Sequence, residues 1–458
     1  MQIQVHPDGH YFQQGGGEPF FYLADTAWML FNKLTETEAR RLFADRSAKG
    51  FTAVQAVVFR DLFEPNSPNV AGLRPFASEG DLRAARLNPK WIEWVVHLVG
   101  VAGEYGLVMA LLPTWGDKWN AHSNSAGPVV MNADSGHAYC RGLSDALGEC
   151  ANVIWILGGD SPVRTQRDAD VVRAMGQGLR AGASGDRLIS FHPTGRATSE
   201  IFHSEGWLDF NALQTGHARP NLPNHHHIER LYHACPTKPC LDMECNYEMM
   251  PAGFIRNQGL QPELSGAYSA YDVRKAYYRS VLAGGAGFAY GCEPIRQVYR
   301  KGDRVHAWSG EGMCTWDEAL SAPGSSQLRL LKDVLGERSY FTREPAQQLL
   351  RSIRGVGEWA DHTDVGLTFA RQENSDPVAR IAVARCREGR YILVYLPVRQ
   401  ILQVDTSDLA GDRLDVTVYD PETREVAARL DSANSGTFHY LPERDLDSFL
   451  VIDAKDPG

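Results

Sequence analysis

The feature of this chain that most constrains its fold is a regular alternation between short apolar runs and amphipathic segments. Eight apolar runs of strand length occur at residues 20–28, 51–59, 106–115, 152–160, 187–195, 208–217, 239–248 and 285–294. Patterns of helical period lie between several of them, at 35–50, 89–106, 167–182 and 270–285. The first of these helices opens on a Thr-x-x-Glu capping signature at Thr35. Eight strands that alternate with helices predict an α/β fold of the (β/α)8 TIM barrel type.

The pattern changes near residue 350, where helical periodicity gives way to short strand patterns. Turn formers such as "DPETRE" (420–425) and "DSANSG" (431–436) separate these strands. We therefore expect a barrel domain over residues 1–350, followed by a small all-β sandwich over residues 351–458 as an accessory domain.

Charge and composition exclude several classes of protein. The 458 residues carry a formal net charge of -10, which argues against nucleic acid as a partner. No apolar run approaches about 18 residues, so no membrane span is expected. The N-terminus lacks a leader pattern, which predicts a cytoplasmic protein if this is the full native chain, and a periplasmic or secreted one if a signal peptide was removed. The 8 cysteines include no C-x-x-C pair, and neither a metal nor another cofactor is expected. The sequence leaves the oligomeric state open.

Two acids stand at the ends of apolar runs. Asp160 ends the fourth run, "NVIWILGGD", and Glu244 lies near the end of the seventh, "PCLDMECNYE". Their separation is 244 − 160 = 84 residues, or three βα units of roughly 30 residues each. Strand alternation places Asp242 and Glu244 on one face, so Asp160 and Glu244 are both expected to point into the barrel mouth. Two such carboxyl groups can cleave a glycosidic bond, one by protonating the leaving oxygen and the other by attacking the anomeric carbon.

Each acid also has a structural interpretation that the sequence leaves open. Asp160, in "GGDSP", could cap the helix that follows it. Glu244 could form a salt bridge within the bowl at the barrel mouth. Asp242 and Glu248 compete with Glu244 for the role of nucleophile, and Glu248 is expected to lie already in the loop.

Further polar and aromatic side chains near the strand ends suit a site that binds sugar. Flat aromatic faces can stack on sugar rings, and neutral His and Gln offer both a donor and an acceptor to hydroxyl groups. Asp25 could instead cap a loop, and Gln55 could instead pack in the barrel interior, rather than contact substrate. The predicted substrate-binding residues are Asp25, Trp28, Gln55, Trp115, Lys118, His192, Gln214, His217, Tyr247, Tyr290 and Glu293.

Several segments resemble those of the apiosidase-like glycoside hydrolases. They are "FFYLADTAWMLFNKLTETEARRLFADRSAKGFTAVQAVVF", "LLPTWGDKW", "NVIWILGGD", "NALQTGH" and "LDMECNYE". The stretch that begins "GRYILVYLPV" is similar to the β-domain, labelled collagen-binding, that often follows such barrels. The resemblance implies a catalytic barrel that hydrolyses terminal pentofuranosyl, apiose-like linkages of plant cell-wall polysaccharide with retention. It also implies that Asp160 is the acid/base and Glu244 the nucleophile.

One departure concerns the end of the fourth strand. Most relatives in the wider retaining clan end this strand on Asn-Glu, whereas this chain has Gly159-Asp160, which is shorter by one methylene and lacks the amide. The apiosidase-like family shares this feature, and a furanose substrate is a plausible consequence. Glu293, in "YGCEP" after the eighth run, is an additional acid that leaves the exact substrate open.

Four other functions compete with this interpretation. An arabinofuranosidase or an endo-β-glycanase would use the same two acids, and a non-catalytic carbohydrate-binding barrel would use the same bowl. A metal-dependent barrel hydrolase is suggested by the 15 His residues and the run "NHHHIER" (224–230). That class needs His-x-His on the first strand, and "YLADTAW" supplies none.

Overall fold

A small antiparallel sheet, which the sequence analysis did not predict, opens the chain. The structure is a computed structural model that describes residues 1–60, 66–123, 127–218, 220–252, 266–305, 312–351 and 379–455. The strands of the first sheet are β1 (Ile3–Val5), β2 (Phe12–Gln14) and β3 (Pro19–Phe20). Phe12 packs edge-on against Phe210, with ring centroids 5.1 Å apart. Because Phe210 immediately precedes a barrel strand, this sheet packs against the amino-terminal end of the barrel.

The barrel is formed by the next nine strands. They are β4 (Tyr22–Thr26), β5 (Ala53–Phe59), β6 (Val108–Thr114), β7 (Val153–Gly158), β8 (Ile189–His192), β9 (Ala197–Thr198), β10 (Asn211–Gln214), β11 (Cys240–Asp242) and β12 (Gly287–Tyr290). All except β9 run parallel, in the order β8-β7-β6-β5-β4-β12-β11-β10, and β9 pairs antiparallel with β10. The seam between β8 and β10 is held by hydrogen bonds from the Asp209 N–H to the Ile189 carbonyl and from the Ser190 hydroxyl to the Phe210 carbonyl, each 2.8 Å. The predicted (β/α)8 barrel is confirmed, with all eight predicted strands in place.

The barrel strands are almost continuously apolar because helices cover their outer face and side chains fill the interior. Every residue of β5 and β6 is buried. Functional groups therefore collect beyond the strand ends, where the chain leaves this packing.

The helices of the described residues lie mostly between barrel strands. They are α1 (Leu30–Lys33), α2 (Glu36–Ala48), α3 (Glu79–Arg83), α4 (Pro89–Glu104), α5 (Ala133–Ala146), α6 (Gln166–Ala181), α7 (Asn224–Tyr232), α8 (Ala270–Leu282), α9 (Glu293–Arg296), α10 (Gly324–Gln327) and α11 (Arg329–Gly336). The predicted capping box of α2 is present: the Thr35 hydroxyl accepts from the Glu38 N–H at 3.3 Å, and the Glu38 carboxylate accepts from the Thr35 N–H at 2.9 Å. Within the described ranges no helix has the length and apolar character needed to cross a bilayer.

The second domain is an antiparallel β-sandwich, as predicted. Its strands are β13 (Arg343–Pro345), β14 (Ala382–Cys386), β15 (Tyr391–Leu396), β16 (Leu402–Asp405), β17 (Arg413–Tyr419), β18 (Val426–Ala433), β19 (Thr437–Tyr440) and β20 (Ser448–Lys455). Six strands form one sheet in the order β13-β14-β15-β20-β17-β18, and β16 pairs with β19 in a second sheet. A separate apolar core that includes Val394, Val404, Val416 and Leu450 fills the space between them. The boundary predicted between residues 350 and 351 stays a prediction.

The sandwich docks on the barrel through helix α8. Arg274 of α8 donates two hydrogen bonds to Asp447, at 3.0 and 2.9 Å, and the Tyr395 hydroxyl donates to the same carboxylate at 2.9 Å. Tyr278, also on α8, stacks on Tyr395 with ring centroids 4.4 Å apart. The two domains therefore share a packed interface in which the Arg274–Asp447 ion pair is buried.

Candidate active site

The end of the fourth barrel strand has an unusual backbone. Strand β7 ends at Gly158, and the φ angles of Gly158, Gly159 and Asp160 are 96°, 97° and 50°. A Cβ atom on Gly158 would lie 2.2 Å from the His192 carbonyl oxygen, and one on Gly159 would lie 2.8 Å from the Gly116 nitrogen. Glycine is therefore required at both positions for conformational and steric reasons. Together they turn the chain so that Asp160 leaves the strand at the carboxyl end of the barrel.

Asp160 does not cap the following helix. Helix α6 begins at Gln166, and its N-cap is Thr165, whose hydroxyl accepts from the Asp168 N–H at 3.2 Å. The carboxylate of Asp160 instead accepts a hydrogen bond from the Gly195 N–H at 3.2 Å. Helix capping, which was the alternative to a role in the bowl, is therefore excluded for Asp160.

Glu244 reaches the bowl by a bend in the chain. Strand β11 ends at Asp242, and the backbone bends at Met243 and Glu244. Asp242 accepts hydrogen bonds from the Thr215 N–H at 3.3 Å and from Asn224 at 3.4 Å, and so faces helix α7. The expectation that Asp242 and Glu244 share one face is wrong, because strand alternation does not continue through the bend. Asp242 is therefore engaged away from the bowl.

Two histidines hold the Glu244 carboxylate. His217 Nε2 lies 2.9 Å from Oε1, and His192 Nε2 lies 3.2 Å from Oε2. The other ring nitrogen of His192, Nδ1, lies 3.1 Å from the Pro193 carbonyl oxygen. Both nitrogens of His192 thus face acceptors, which favours the protonated ring. Burial lowers the pKa of His192, but its contact with the Glu244 carboxylate outweighs burial and raises that pKa overall.

The two carboxyl groups have pKa values shifted in opposite directions. Burial, and then repulsion from the Glu244 carboxylate, raises the pKa of Asp160 to about 6. Burial also acts to raise the pKa of Glu244, but the close contacts and charges of His192 and His217 prevail and hold it below its usual range. Over the interval between these pKa values the pair holds one proton, and that proton resides on Asp160.

Aromatic rings line the space beside this pair. The ring of Trp28 lies 5.4 Å from that of Trp115 and 5.6 Å from that of His192. The Tyr247 ring lies 4.3 Å from the His217 ring. The structure thus brings Trp28, Trp115, His192, His217 and Tyr247 together around the two acids, as the sequence predicted.

Two further predicted residues lie at this end of the barrel. Gln214 ends strand β10, and its buried side-chain oxygen accepts no hydrogen bond from the residues that the structure describes. Lys118, in the loop after β6, is fully buried, with Nζ 3.2 Å from Asp117 and 2.7 Å from the Gly127 carbonyl oxygen. Gln214 thus has an amide oxygen available for a sugar hydroxyl, whereas the charge of Lys118 is already balanced by Asp117.

Asp25 and Tyr290 were expected to contact substrate, and the structure places them outside the bowl. Both side chains are fully buried on the outer face of the barrel wall. Asp25 accepts a 2.6 Å hydrogen bond from Arg46 of helix α2, and the Tyr290 hydroxyl donates to Glu248 at 2.6 Å. Because Asp25 and Tyr290 are partners in adjacent parallel strands, they share this outward orientation. Glu248 is therefore occupied as well and does not compete with Glu244.

Gln55 and Glu293 also have protein partners. Gln55 lies in the barrel interior, where it accepts from the Tyr22 hydroxyl at 3.2 Å and donates to the Met243 carbonyl at 3.1 Å. Glu293 is fully buried and binds Arg296 through two hydrogen bonds of 2.5 and 2.6 Å. Gln55 thus packs in the barrel interior, which was the alternative to a substrate contact. Glu293 is the counter-ion of the buried Arg296.

The sequence analysis missed Arg60. It follows Phe59, the last residue of strand β5, and its guanidinium lies 3.8 Å from the centre of the Trp115 ring. A charged residue directly after an apolar run was the available signal, because that position in a barrel opens onto the bowl. Among the described residues no group of three or more His, Cys, Asp or Glu side chains is arranged to hold a metal ion.

An eight-stranded parallel barrel with a carboxylic acid and a carboxylate at its carboxyl end is an arrangement that suits glycoside hydrolysis. The chain belongs to the apiosidase-like family, since residues 6–342 match the model of the apiosidase-like catalytic domain. Residues 368–453 match a second model, described as "Putative collagen-binding domain of a collagenase".

Solved structures agree with this fold. One described as a glycoside hydrolase is 24% identical, with 100% of this chain and 98% of the other covered and a TM-score of 0.82. A glycoside hydrolase family 5 protein from Bacteroides vulgatus is also 24% identical, with 99% and 94% covered and a TM-score of 0.83. No protein of curated function matches the sequence.

Proposed function

We propose that this glycoside hydrolase removes a terminal pentofuranosyl, apiose-like residue from a plant cell-wall polysaccharide by a retaining double displacement. The observation that carries the proposal is the opposite shift of the two pKa values, raised for Asp160 and lowered for Glu244. A retaining glycosidase needs one carboxylic acid and one carboxylate at the same pH. This pair supplies both, because His192 and His217 keep Glu244 ionised.

In the first step Glu244, ionised, attacks the anomeric carbon while Asp160 protonates the departing glycosidic oxygen. In the second step Asp160, now ionised, takes a proton from water, and that water displaces Glu244 from the sugar. His192 and His217 keep the Glu244 carboxylate oriented and charged, since each places a ring nitrogen within 3.2 Å of one of its oxygens.

Two observations favour a small furanose in this site. The family match is to apiosidase-like catalytic domains. The acid at the end of strand four is an aspartate, on a turn whose glycines pack against Gly116 and His192. This shorter acid, set close to the barrel wall, suits a compact sugar held near Trp28, Trp115 and Gln214.

The first test is hydrolysis of a panel of aryl glycosides that includes apiofuranoside and arabinofuranoside, together with β-linked oligosaccharides. Wild type is expected to prefer the apiofuranoside, and both Asp160→Asn and Glu244→Gln are expected to lose at least about 10³-fold in kcat/KM on an unactivated substrate. A preference for arabinofuranoside or for internal glycan linkages would instead assign one of the competing hydrolase functions. Glycan binding without turnover would favour a non-catalytic barrel.

A matched control is Glu248→Gln, which removes a buried charge four residues from Glu244. The glutamine oxygen can still accept from the Gly324 N–H, and its NH2 group can donate to the Tyr290 hydroxyl oxygen, which at present donates to the other oxygen of Glu248. This variant is expected to stay within a few-fold of wild type. If it is as inactive as Glu244→Gln, the assignment of the nucleophile fails.

Leaving-group dependence separates the two roles. With an activated aryl group the first step in Asp160→Asn needs no proton, so a burst of phenolate followed by slow turnover is expected, whereas Glu244→Gln should show neither. Proton NMR of the first-formed sugar then reports the stereochemistry, and an inverted product would rule out the double displacement.

A further inference from the structure

The two edges of the large sandwich sheet differ in length and composition. At one edge lies β13, which has 3 residues, and one of them is Pro345, which cannot donate a hydrogen bond to a neighbouring strand. At the other edge lies β18, whose 8 residues, "VAARLDSA", include neither proline nor glycine. An edge strand carries a row of unpaired backbone N–H and C=O groups, and natural proteins usually shorten or interrupt it. The edge at β18 is therefore long and regular enough to pair with another strand.

The edge at β18 lies away from the part of the sheet that docks on the barrel. Helix α8 packs on β14 and β15, and β20 and β17 separate β15 from β18. No residue of β18 is buried, and Val426 at its start is 42% exposed. Within the described residues no strand pairs with the outer edge of β18. Alternate residues of β18 thus direct their backbone groups outward with no strand beside them.

The charges of β18 are complementary to those of a second copy of the same strand. Arg429 and Asp431 point to one face, and Leu430, between them, points to the other. When two copies pair antiparallel about a twofold axis at Leu430, Arg429 of each lies opposite Asp431 of the other. The other opposing residues of the strand have small side chains: Ala428 with Ser432 and Ala427 with Ala433.

This register is the one that the charges of β18 favour. A shift of two residues in one direction places Arg429 opposite Arg429 of the second copy, and in the other direction it places Asp431 opposite Asp431. Like charges directly opposite each other destabilise a strand pair. A shift of one residue places Leu430 opposite a charged residue and brings the apolar and charged faces together.

The surroundings within one chain also favour a second copy. Arg429 is exposed and forms no ion pair with any residue that the structure describes. Asp431 lies opposite Asp415 of β17, which is a like-charged pair, and its own cations, Arg413 and Lys455, are about half exposed. Arg429 of a second copy would lie opposite Asp431 on the side away from Asp415, and would offset this repulsion.

We propose that the chain forms a twofold symmetric dimer in which two β18 strands pair antiparallel across an axis at Leu430. The large sheets of the two sandwiches then form one continuous sheet, with a barrel docked on each half. Arg429 and Asp431 form reciprocal ion pairs on one face, and the two Leu430 side chains meet on the other. This inference does not depend on the proposed function.

The test is the mass of the full chain in solution, measured by sedimentation velocity from about 1 to about 100 µM, where modest interfaces associate. At the upper end the wild type is expected to have twice the 50.8 kDa mass of one chain. Arg429→Asp replaces both ion pairs by repulsion and is expected to weaken association about 10-fold or more. The matched control is Arg83→Asp, which makes the same change of charge at a side chain of the barrel that is 81% exposed, and it should dimerise like the wild type.

Cross-linking tests the register. Leu430→Cys places two thiols at the twofold axis, where opposite Cα atoms lie about 4.5–5.5 Å apart, within reach of a disulfide. The control is Ala428→Cys on the same face, because its counterpart in the second copy lies four residues further along the ladder, about 13 Å away. Mild oxidation is expected to link Leu430→Cys into a covalent dimer and to leave Ala428→Cys unlinked. The wild type reports any linkage through the exposed Cys235.

A wild type that remains monomeric up to about 100 µM would overturn the proposal. So would a dimer that Arg429→Asp leaves unchanged, because the interface would then lie elsewhere on the chain. Cross-linking of Ala428→Cys as readily as Leu430→Cys would overturn it as well, since the strands would then pair in another register.

Discussion

Buried charge is treated differently at the interface with the sandwich and in the bowl of the barrel. At the interface with the sandwich, Arg274 and Asp447 are 2% and 0% exposed and bind each other through two hydrogen bonds. The Tyr395 hydroxyl donates a further hydrogen bond to the Asp447 carboxylate, and the Gln327 side-chain oxygen accepts one from Arg274 at 2.5 Å. In the bowl, by contrast, Arg60 has no counter-ion within the described residues, and Asp160 has a raised pKa.

This difference separates stability from function. A buried ion pair that loses one partner leaves an isolated charge, so the interface requires its full set of partners. An active site instead needs groups whose charge is not already satisfied, because substrate and transition state must supply the missing interactions. Charged groups in the bowl are therefore left without a full set of partners, whereas those at the interface have one.

The largest expected effect is a loss of stability on substitution at the interface with the sandwich. Asp447→Asn leaves Arg274 without a counter-ion and is expected to lower the free energy of unfolding by about 3–5 kcal/mol, with kcat/KM at 25 °C nearly unchanged. Urea denaturation and steady-state kinetics on the same preparation measure both. The double variant Arg274→Met, Asp447→Leu should recover part of the loss, since it removes both charges. A loss below about 1 kcal/mol in Asp447→Asn would contradict the comparison.

The next largest effect is the pH dependence of kcat/KM, which is set by Asp160 in the bowl. Asp160 acts as an acid only when protonated, and its pKa is raised to about 6. We therefore expect kcat/KM to be level below about pH 6 and to fall about tenfold per pH unit above it. Glu244 should add no acid limb down to about pH 4, because its pKa is held below the ordinary value of about 4.3.

A pH profile measured from pH 4 to pH 9 checks this expectation. Asp160→Asn, assayed with an activated aryl glycoside, is the control and should lack the basic limb. A basic limb centred near the ordinary aspartate value, or none at all below pH 8, would show that Glu244 and burial do not shift Asp160 as described.

The smallest expected effect comes from a substitution outside both regions. Thr35→Ala removes the N-cap of α2, which is exposed, and is expected to lower the free energy of unfolding by about 1 kcal/mol. In a chain of this size the melting temperature should fall by less than about 2 °C, with unchanged kinetics. A change in kcat/KM here would show that barrel stability and catalysis are less separable than the comparison implies.

Local pattern was sufficient to predict many elements. Each apolar run became a barrel strand, and the capping signature at Thr35 became a formed capping box. Helix α5 was not predicted from the sequence. Its packing against α6 supplies the stability that the local sequence does not.

Side-chain direction at the strand ends was less predictable. Its position at a strand end predicted a substrate contact for Asp25, and alternation placed Asp242 on the face of Glu244. Asp25 instead faces Arg46, and Asp242 faces Asn224. The first error comes from not knowing which face of the strand the barrel closes around. The second comes from a backbone bend that hydrophobic periodicity does not record.

By itself the sequence determined the order of strands and helices and placed acids beyond the fourth and seventh strands, because burial of apolar runs is read from local pattern. The tertiary structure decided which carboxyl group is charged. The pKa values of Asp160 and Glu244 depend on His192 and His217, which are distant in sequence and meet the acids only when the barrel closes. It also decided that Arg60 has no counter-ion among the described residues, since the counter-ions of a buried charge are set by the packing of the whole chain.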